Sequence, residues 1–488
     1  MSALSSARAS WPQLPGLRLV YRGKVRDVYA LENDLRLVVA TDAVSIFDFV
    51  LNALVPLKGV ILNAMNHFWT MYLREFGIPT DLVAAGQDID QYLPGDLRNR
   101  IDLIQSRSIV VRRMDMAPVE FVWRQILTGS GWDQYTTNKG RVYGHQLPPG
   151  LQNGDAVPLL FTPTSKAQEG HDEPLVPEQV LGMYPELVYR SMRAFLIGSD
   201  RALQSGILLA DAKFEGSREG LGDEMLTPDA SRYVLWRAWE ESRKPESGRK
   251  MPPALDKQIV RVWGETQGIK GLNPEDPGHV ARVQSIAVPQ ALLDQVTQTY
   301  RYIFWRLTGM TIEQYLREEM AVEMARRVPK IAVVCGSKND WHLVEGVVKD
   351  VDKSQAQIVV HVLSCHRNPQ AVWEFAQSGG EGADVILGVG GKALALPGMI
   401  SSFAHANGKD VPVVGVALGD PGSEGLLAAQ LSITEVPGSP VVVDERTGNA
   451  YTGAEGLETA LHRIIDGELP PLPQWSEKPP EFGIFSNY

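Results

Sequence analysis

Apolar residues at the start of the chain fall into short alternating runs, Leu17–Tyr21, Val25–Leu31 and Leu35–Thr41, broken at Gly23 and at the polar turn Glu32, Asn33, Asp34. Period-two runs joined by turn residues predict an antiparallel start. Farther on, Gly59–Phe76 and Pro289–Leu307 are long and apolar at helical spacing. An antiparallel sheet with separate helices is an α+β arrangement. A helix is expected to open at Thr311, with Gln314 placed for a capping box, and to run through Tyr315, Leu316, Met320 and Met324 to Arg327, where Pro329 stops it.

After Lys330 the pattern changes. Short apolar runs at Ile331–Cys335, Ile358–Leu363, Val385–Gly388 and Val411–Leu418 alternate with helix signals after Asp340, Pro369, Pro397 and Pro421. That alternation predicts an α/β doubly wound parallel sheet of the flavodoxin type, three layers deep. The expected division is residues 1–325, 326–470 and an irregular proline-rich tail, 471–488.

Composition adds limits rather than a function. The chain has 488 residues, 44% hydrophobic and 22% charged, with a net charge of -11. It can fill complete cores, and it lacks the broad basic footprint of a nucleic-acid or anionic-membrane binder. Cys335 and Cys365 are the only cysteines, and they have neither disulfide-framework nor zinc-site spacing. With no apolar run near the ~18 residues of a membrane span and no leader-like start, a cytoplasmic protein is expected.

Candidate chemistry in the first half begins with Gly23, Lys24 and Arg26. If they continue a strand, Lys24 and Arg26 share a face and can converge on one anion, while Gly23 lets the backbone approach it. The same residues also make an ordinary solvated hairpin. Alternation likewise places Asp211, Lys213 and Glu215 on one strand face, with Asp223 able to return on the next strand. These oxygens suit magnesium completed by nucleotide phosphates and water, or else a polar hairpin with a surface ion pair. EFVWRQILTGS (120–130), FTPTSKAQEGHDE (161–173) and TPDASRY (227–233) are poor core material and read as binding surface.

Taken in order, GKVRD (23–27), SIFD (45–48), KGVILN (58–63), these three segments, ADAKFE (210–215), DEMLTPD (223–229) and DKQIVRVW (256–263) resemble the SAICAR synthetases. That family joins aspartate to the carboxylate of the imidazole ribotide CAIR at the expense of ATP. The resemblance implies Gly23, Lys24 and Arg26 by the ATP phosphates, Glu215 and Asp223 on Mg2+, and Arg124, Ser130 and Arg232 on the ribotide. It puts Asp211 and Lys213 at the junction of nucleotide and substrate. One departure is Ala43, where the family commonly has arginine after the Thr-Asp pair, so a neighbouring substrate contact is expected to be lost or replaced.

In the second half, Cys335–Asp340 forms a strand-to-helix turn whose amides and Ser337 hydroxyl either receive a phosphate or simply turn tightly. Ser364, Cys365, His366, Arg367, Asn368 and Pro369 end the second strand, with Asn368 expected as a helix cap. A lone histidine there is either structural or catalytic. GSKNDW, SCHRNP and LPGMI resemble the AIR carboxylases and N5-CAIR mutases (PurE) over roughly Lys330–Glu468. That likeness implies His366 as proton shuttle, with Ser337, Asp340, Ser364 and Arg367 binding the ribotide. It also implies formation of CAIR from N5-CAIR, or from AIR and CO2, and a homo-oligomer, possibly an octamer, built on this domain. The loop Gly388–Met399 departs from pattern: it is one residue longer, and the usual histidine is missing. Cys365 stands where alanine is usual, and the segment after Val416 lacks the familiar glutamine and serine. The alternative is a degenerate domain retained for assembly or ligand sensing.

Overall fold

A computed structural model describes residues 5–166, 173–244, 249–324 and 328–467, apart from 354, 393, 408, 410, 436–440 and 445–447. The tail expected to be irregular lies outside the described residues. The chain divides into two compact units, Met1–Arg326 and Arg327–Tyr488.

The first unit is α+β. Strands Leu19–Arg22, Arg26–Ala30 and Leu35–Ala40 form the antiparallel start, and Ser108–Arg112 and Leu82–Ala85 extend it to a five-stranded sheet. Asn33 and Asp34 both take positive φ, 55° and 57°, as a tight turn between twisted strands requires. A second sheet centres on the long strand Ile207–Ser217, which pairs antiparallel with Val119–Ile126, Gly220–Gly222 and Ser231–Leu235. Its inward positions, including Leu209, Ala212 and Phe214, pack in one apolar core with helices Lys58–Glu75, Pro185–Gln204 and Gln290–Thr308. Trp69, Phe195 and Phe304 are fully buried there. Each such side chain contributes roughly 1.5–3 kcal/mol by leaving water, which keeps the polar edge of the sheet in a fixed place.

The helix expected over Thr311–Arg327 is shorter. It spans Ile312–Met320, opened by the Thr311 hydroxyl accepting the Gln314 N–H at 3.2 Å. Ala321 turns to φ 52°, and the Val322 N–H bonds back to the Leu316 carbonyl at 2.8 Å. This Schellman-type closure buries Val322 completely, and tertiary burial outweighs the helical spacing that reached Met324.

The second unit is the expected parallel sheet. Its strands lie in the order Gln357–Val362, Lys330–Cys335, Val385–Gly391, Val413–Leu418, Tyr451–Thr452. One face, with Ile331 and Val333, packs against Lys338–Val348 and Gly453–Asp466; the other, with Ala332 and Val334, packs against Pro369–Gln377, Leu396–Ala406 and Glu424–Thr434. The two-residue strand and final helix were not predicted, because Tyr451–Thr452 is too short to show alternation. Among the described residues, no helix is long and apolar enough to cross a membrane.

Candidate active site

Alternation along Ile207–Ser217 buries Ala210, Ala212 and Phe214 and turns Asp211, Lys213 and Glu215 to the opposite face. Lys213 Nζ donates to Glu215 Oε1 at 2.6 Å and to Glu120 Oε1 at 2.9 Å. The second Glu215 oxygen accepts from Lys166. Asp223 follows the hairpin at φ 65° and pairs with Arg26 at 2.8 Å. Burial alone would lower the Lys213 pKa, but Glu215 and Glu120 outweigh it and hold the amine well above its usual range. Arg26 is raised in the same way: burial is outweighed by Asp223 and Glu224. Burial likewise opposes ionisation of Asp223, yet Arg26 and Lys213 keep its pKa below the carboxylate range.

Four of these groups, Arg26, Lys166, Glu215 and Asp223, line a cavity of about 200 Å³ together with Val28, Val38 and Ile109. The three apolar residues form a row across adjacent strands, Val28 opposite Val38 and Val38 opposite Ile109. Asp81 also lines the cavity, and burial pushes its carboxyl up to about 7. Sequence reasoning did not single out Lys166, Glu120 or Asp81. Lys166 and Glu120 lie in quoted polar segments, but their partners are 49 and 93 residues away and leave no local signal.

Lys24 differs from expectation. The Gly23 N–H donates to the Arg26 carbonyl at 2.8 Å, so Lys24 sits in the turn and only Arg26 is in the strand. Lys24 pairs with Asp48 at 2.6 Å, and the two cations take separate acceptors. Ala43 is fully buried, so no side chain from that position reaches the cavity. Neighbouring Asp42 is held by Arg107 at 3.0 Å.

Arg124, Ser130 and Arg232 do come together. Arg124 and Arg232 lie on the strands flanking Ile207–Ser217, both opposite Asp211. The Arg124 guanidinium donates to Thr162 Oγ1 at 3.0 Å, the Thr128 carbonyl at 3.4 Å and Ser130 Oγ at 3.3 Å. Arg232 reaches Asp211 at 3.4 Å. Both guanidinia press on the turn that opens helix Ser130–Thr137: a Cβ on Gly129 would lie 2.5 Å from Arg232 Nη1, and one on Gly131 2.8 Å from Arg124 Nη1. Two guanidinia, a hydroxyl and a helix N-terminus around a side-chain-free turn suit a phosphate. Burial pulls Arg124 down, whereas Arg232 is raised chiefly by Asp211.

In the second unit, a cavity of about 290 Å³ is lined by Gly336, Ser337, Ser364, Arg367 and Asn368 among others. Asp340 reaches it through Ser337, whose hydroxyl donates to Asp340 Oδ2 at 2.7 Å. Arg367 donates to the Gly336 carbonyl at 3.0 Å, tying the ends of the first two strands. His366 is exposed and is not among the lining residues; its Nδ1 lies 3.5 Å from Cys365 Sγ. Helix Pro369–Gln377 begins as expected, but Asn368 does not cap it by its side chain. Its amide oxygen instead accepts the Ser364 N–H at 2.7 Å, closing the loop that carries His366. In the atypical loop, Leu394 is buried in the core on the Ala332 and Val334 face of the sheet, and Lys392 is exposed at φ 58°; Ala393 lies outside the described residues.

Comparison with known proteins agrees with both halves. A SAICAR synthetase family profile matches residues 19–273, and an AIR carboxylase profile matches residues 330–460. Phosphoribosylaminoimidazole-succinocarboxamide synthases of Thioalkalivibrio sulfidiphilus and Methylococcus capsulatus are each 36% identical over 61% of this chain and 96% of their own length. A SAICAR synthase from Saccharomyces cerevisiae, solved in complex with SAICAR, is 29% identical over 61% of this chain and 97% of that one, with a TM-score of 0.52. The chain belongs to the SAICAR synthetase family and carries an AIR carboxylase domain behind the synthetase.

Proposed function

We propose that the first unit ligates CAIR and L-aspartate to SAICAR with ATP. The observation that carries this reading is the cavity that joins an apolar row, Val28, Val38 and Ile109, to the charged set Arg26, Lys166, Glu215 and Asp223. The apolar row suits a purine base, and the cations suit its phosphates. Lys24, in the turn with Gly23 that leads into the Arg26 strand, would reach the phosphates only by giving up its pair with Asp48. Glu215 and Asp223 are hard oxygen donors in one cavity, which fits a magnesium ion that takes the rest of its shell from phosphate and water. When bound, the ion would supply charge neutralisation at the phosphates.

In this reading Arg124, Ser130 and Arg232 hold the ribotide phosphate, and Asp211 and Lys213 face the reacting carboxylate. The CAIR carboxylate takes the γ-phosphoryl group, giving an acyl phosphate and ADP. The aspartate amine then attacks the acyl carbon, phosphate leaves and the nitrogen loses a proton, forming the amide. Lys213, held charged by Glu215 and Glu120, is suited to stabilising the developing negative charge. Positioning supplies the remainder. Purified chain incubated with ATP, magnesium, CAIR and aspartate should yield ADP and SAICAR in equal amounts. ATP turnover without SAICAR would refute the reading.

For the second unit we propose CAIR formation from N5-CAIR, or from AIR and CO2, with Ser337, Asp340, Ser364 and Arg367 on the ribotide and His366 carrying a proton. One product would then feed the other site, in a cytoplasmic homo-oligomer, possibly an octamer, assembled through this domain. A competing reading, a binding module without turnover, is favoured by His366 standing outside the lined cavity and by Leu394 of the atypical loop packing into the core of the second unit. CAIR formation by the full chain that is lost in His366→Asn selects catalysis; absence of CAIR formation selects the binding module.

A further inference from the structure

Asparagine is a poor residue for a helix interior, because its amide competes for backbone groups nearby. Helix Lys58–Glu75 nevertheless carries Asn66 at its centre, 5% exposed, in a run that also buries Ala64, Met65 and Trp69. Its Nδ2 donates to the Asp223 carbonyl at 3.1 Å, and its Oδ1 accepts the Met225 N–H at 2.9 Å. Both ends of the amide are thus satisfied by main chain 157 and 159 residues away, in a clamp across Glu224. The opposite amide orientation would set donor against donor and acceptor against acceptor, so the clamp also fixes the side chain.

The clamp falls where the chain needs it. Ladder pairing of the hairpin ends at Glu215 opposite Gly222, one residue before Asp223. Asp223 then takes φ 65°, a conformation that strains a residue with a Cβ and persists only where its surroundings hold it. Side chains supply that hold: the Asp223 N–H donates to Asp81 Oδ2 at 3.4 Å, and its carbonyl accepts from Asn66. Asn63, one turn earlier on the same helix, donates to the Ser108 carbonyl at 3.3 Å, next to Ile109 of the apolar row. One helix therefore carries both the Asp223 backbone and the Ile109 strand. We propose that Asn66 is a positioning residue: it holds Asp223 in the left-handed conformation that aims its carboxylate into the cavity with Glu215, and so sets the affinity for the divalent cation there. This rests on the ligase reading above, with Asp223 on magnesium. Asn66 is not among the residues that line the cavity, so it acts through Asp223 alone. Without the clamp, Asp223 relaxes to negative φ and its side chain swings away.

Loss of a hydrogen bond that orients a metal-ligating group lowers metal affinity by about 10- to 100-fold. The test uses the full chain and calorimetric titration with ADP, once with magnesium and once with EDTA; the ratio of the two affinities is the gain that the metal provides. Asn66→Ala should remove most of that gain and raise the magnesium concentration for half-maximal SAICAR formation at least tenfold. Metal-free ADP affinity and KM for CAIR should stay within twofold. In the Asp223→Asn background the same substitution should move the magnesium concentration by less than twofold, because it acts through Asp223. If Asn66→Ala does not melt cooperatively, Asn66→Ser replaces it; its hydroxyl can serve one of the two groups, and a several-fold loss is expected. An asparagine with a merely structural role would lower the active fraction without moving the gain, and that result overturns the inference. Equal losses with and without metal, or losses that multiply in the double variant, overturn it too. Absence of any gain in the wild type would instead remove magnesium from the site, so the two failures are distinct.

Discussion

Replacing Gly131 with alanine separates affinity from stability at the phosphate constellation. The new Cβ would stand 2.8 Å from Arg124 Nη1 and 3.2 Å from its Cδ. Arg124 has little room to retreat: it is 4% exposed and tied to Thr162, Thr128 and Ser130. The guanidinium must shift by a few tenths of an ångström or more, away from the turn where the phosphate is proposed to sit. A charge-assisted hydrogen bond contributes about 1.5–3 kcal/mol, so losing one should raise KM for CAIR by about 10- to 150-fold at ~1.4 kcal/mol per tenfold. The backbone should not suffer, because Gly131 lies inside helix Ser130–Thr137 without positive φ, and alanine there favours the helix by up to about 1 kcal/mol. Steady-state SAICAR formation with CAIR varied, beside a melting curve, makes the comparison. The expected result is an unchanged or slightly raised melting temperature with a large rise in KM. A folded variant whose KM for CAIR stays within twofold of wild type would refute the assignment of Arg124 to the phosphate. Gly129→Ala serves as a contrast: at φ 53° it should lower stability and affinity together.

Asp223→Asn should raise the magnesium concentration for half-maximal ligase activity at least tenfold while the chain stays folded, since Arg26 keeps Glu224 at 3.5 Å; an unchanged magnesium dependence would remove Asp223 from the metal site. Asp81 gives a pH signature. Its folded pKa of about 7 lies above the ordinary 3.8 because of burial, so the folded state keeps a proton that the unfolded chain has released. Stability from this group is full below pH about 4 and declines up to about 7, by up to about 4 kcal/mol at 1.36 per unit. Urea unfolding at pH 5 and pH 7 should show a smaller loss in Asp81→Asn than in wild type; equal losses would exclude Asp81 as the source. For the second unit, sedimentation showing only monomer at micromolar concentration would exclude the proposed oligomer.

Local periodicity determined much of this protein. Alternation is a property of a few consecutive residues, so Asp211, Lys213 and Glu215 were legible as one polar face before any partner strand was known. The change to a parallel sheet after Lys330 was legible for the same reason. Tertiary structure alone decided which charges meet. Arg26 finds Asp223 across 197 residues, Lys213 finds Glu120 across 93, and Gly129 and Gly131 admit two guanidinia carried in by separate strands. It also overruled local signals: the turn at Gly23 removes Lys24 from the strand, burial of Val322 ends a helix early, and Asn368 closes a loop instead of capping. Such outcomes depend on sheet register and on competition for burial, which couple residues far apart in the chain and leave no mark in the spacing of their neighbours.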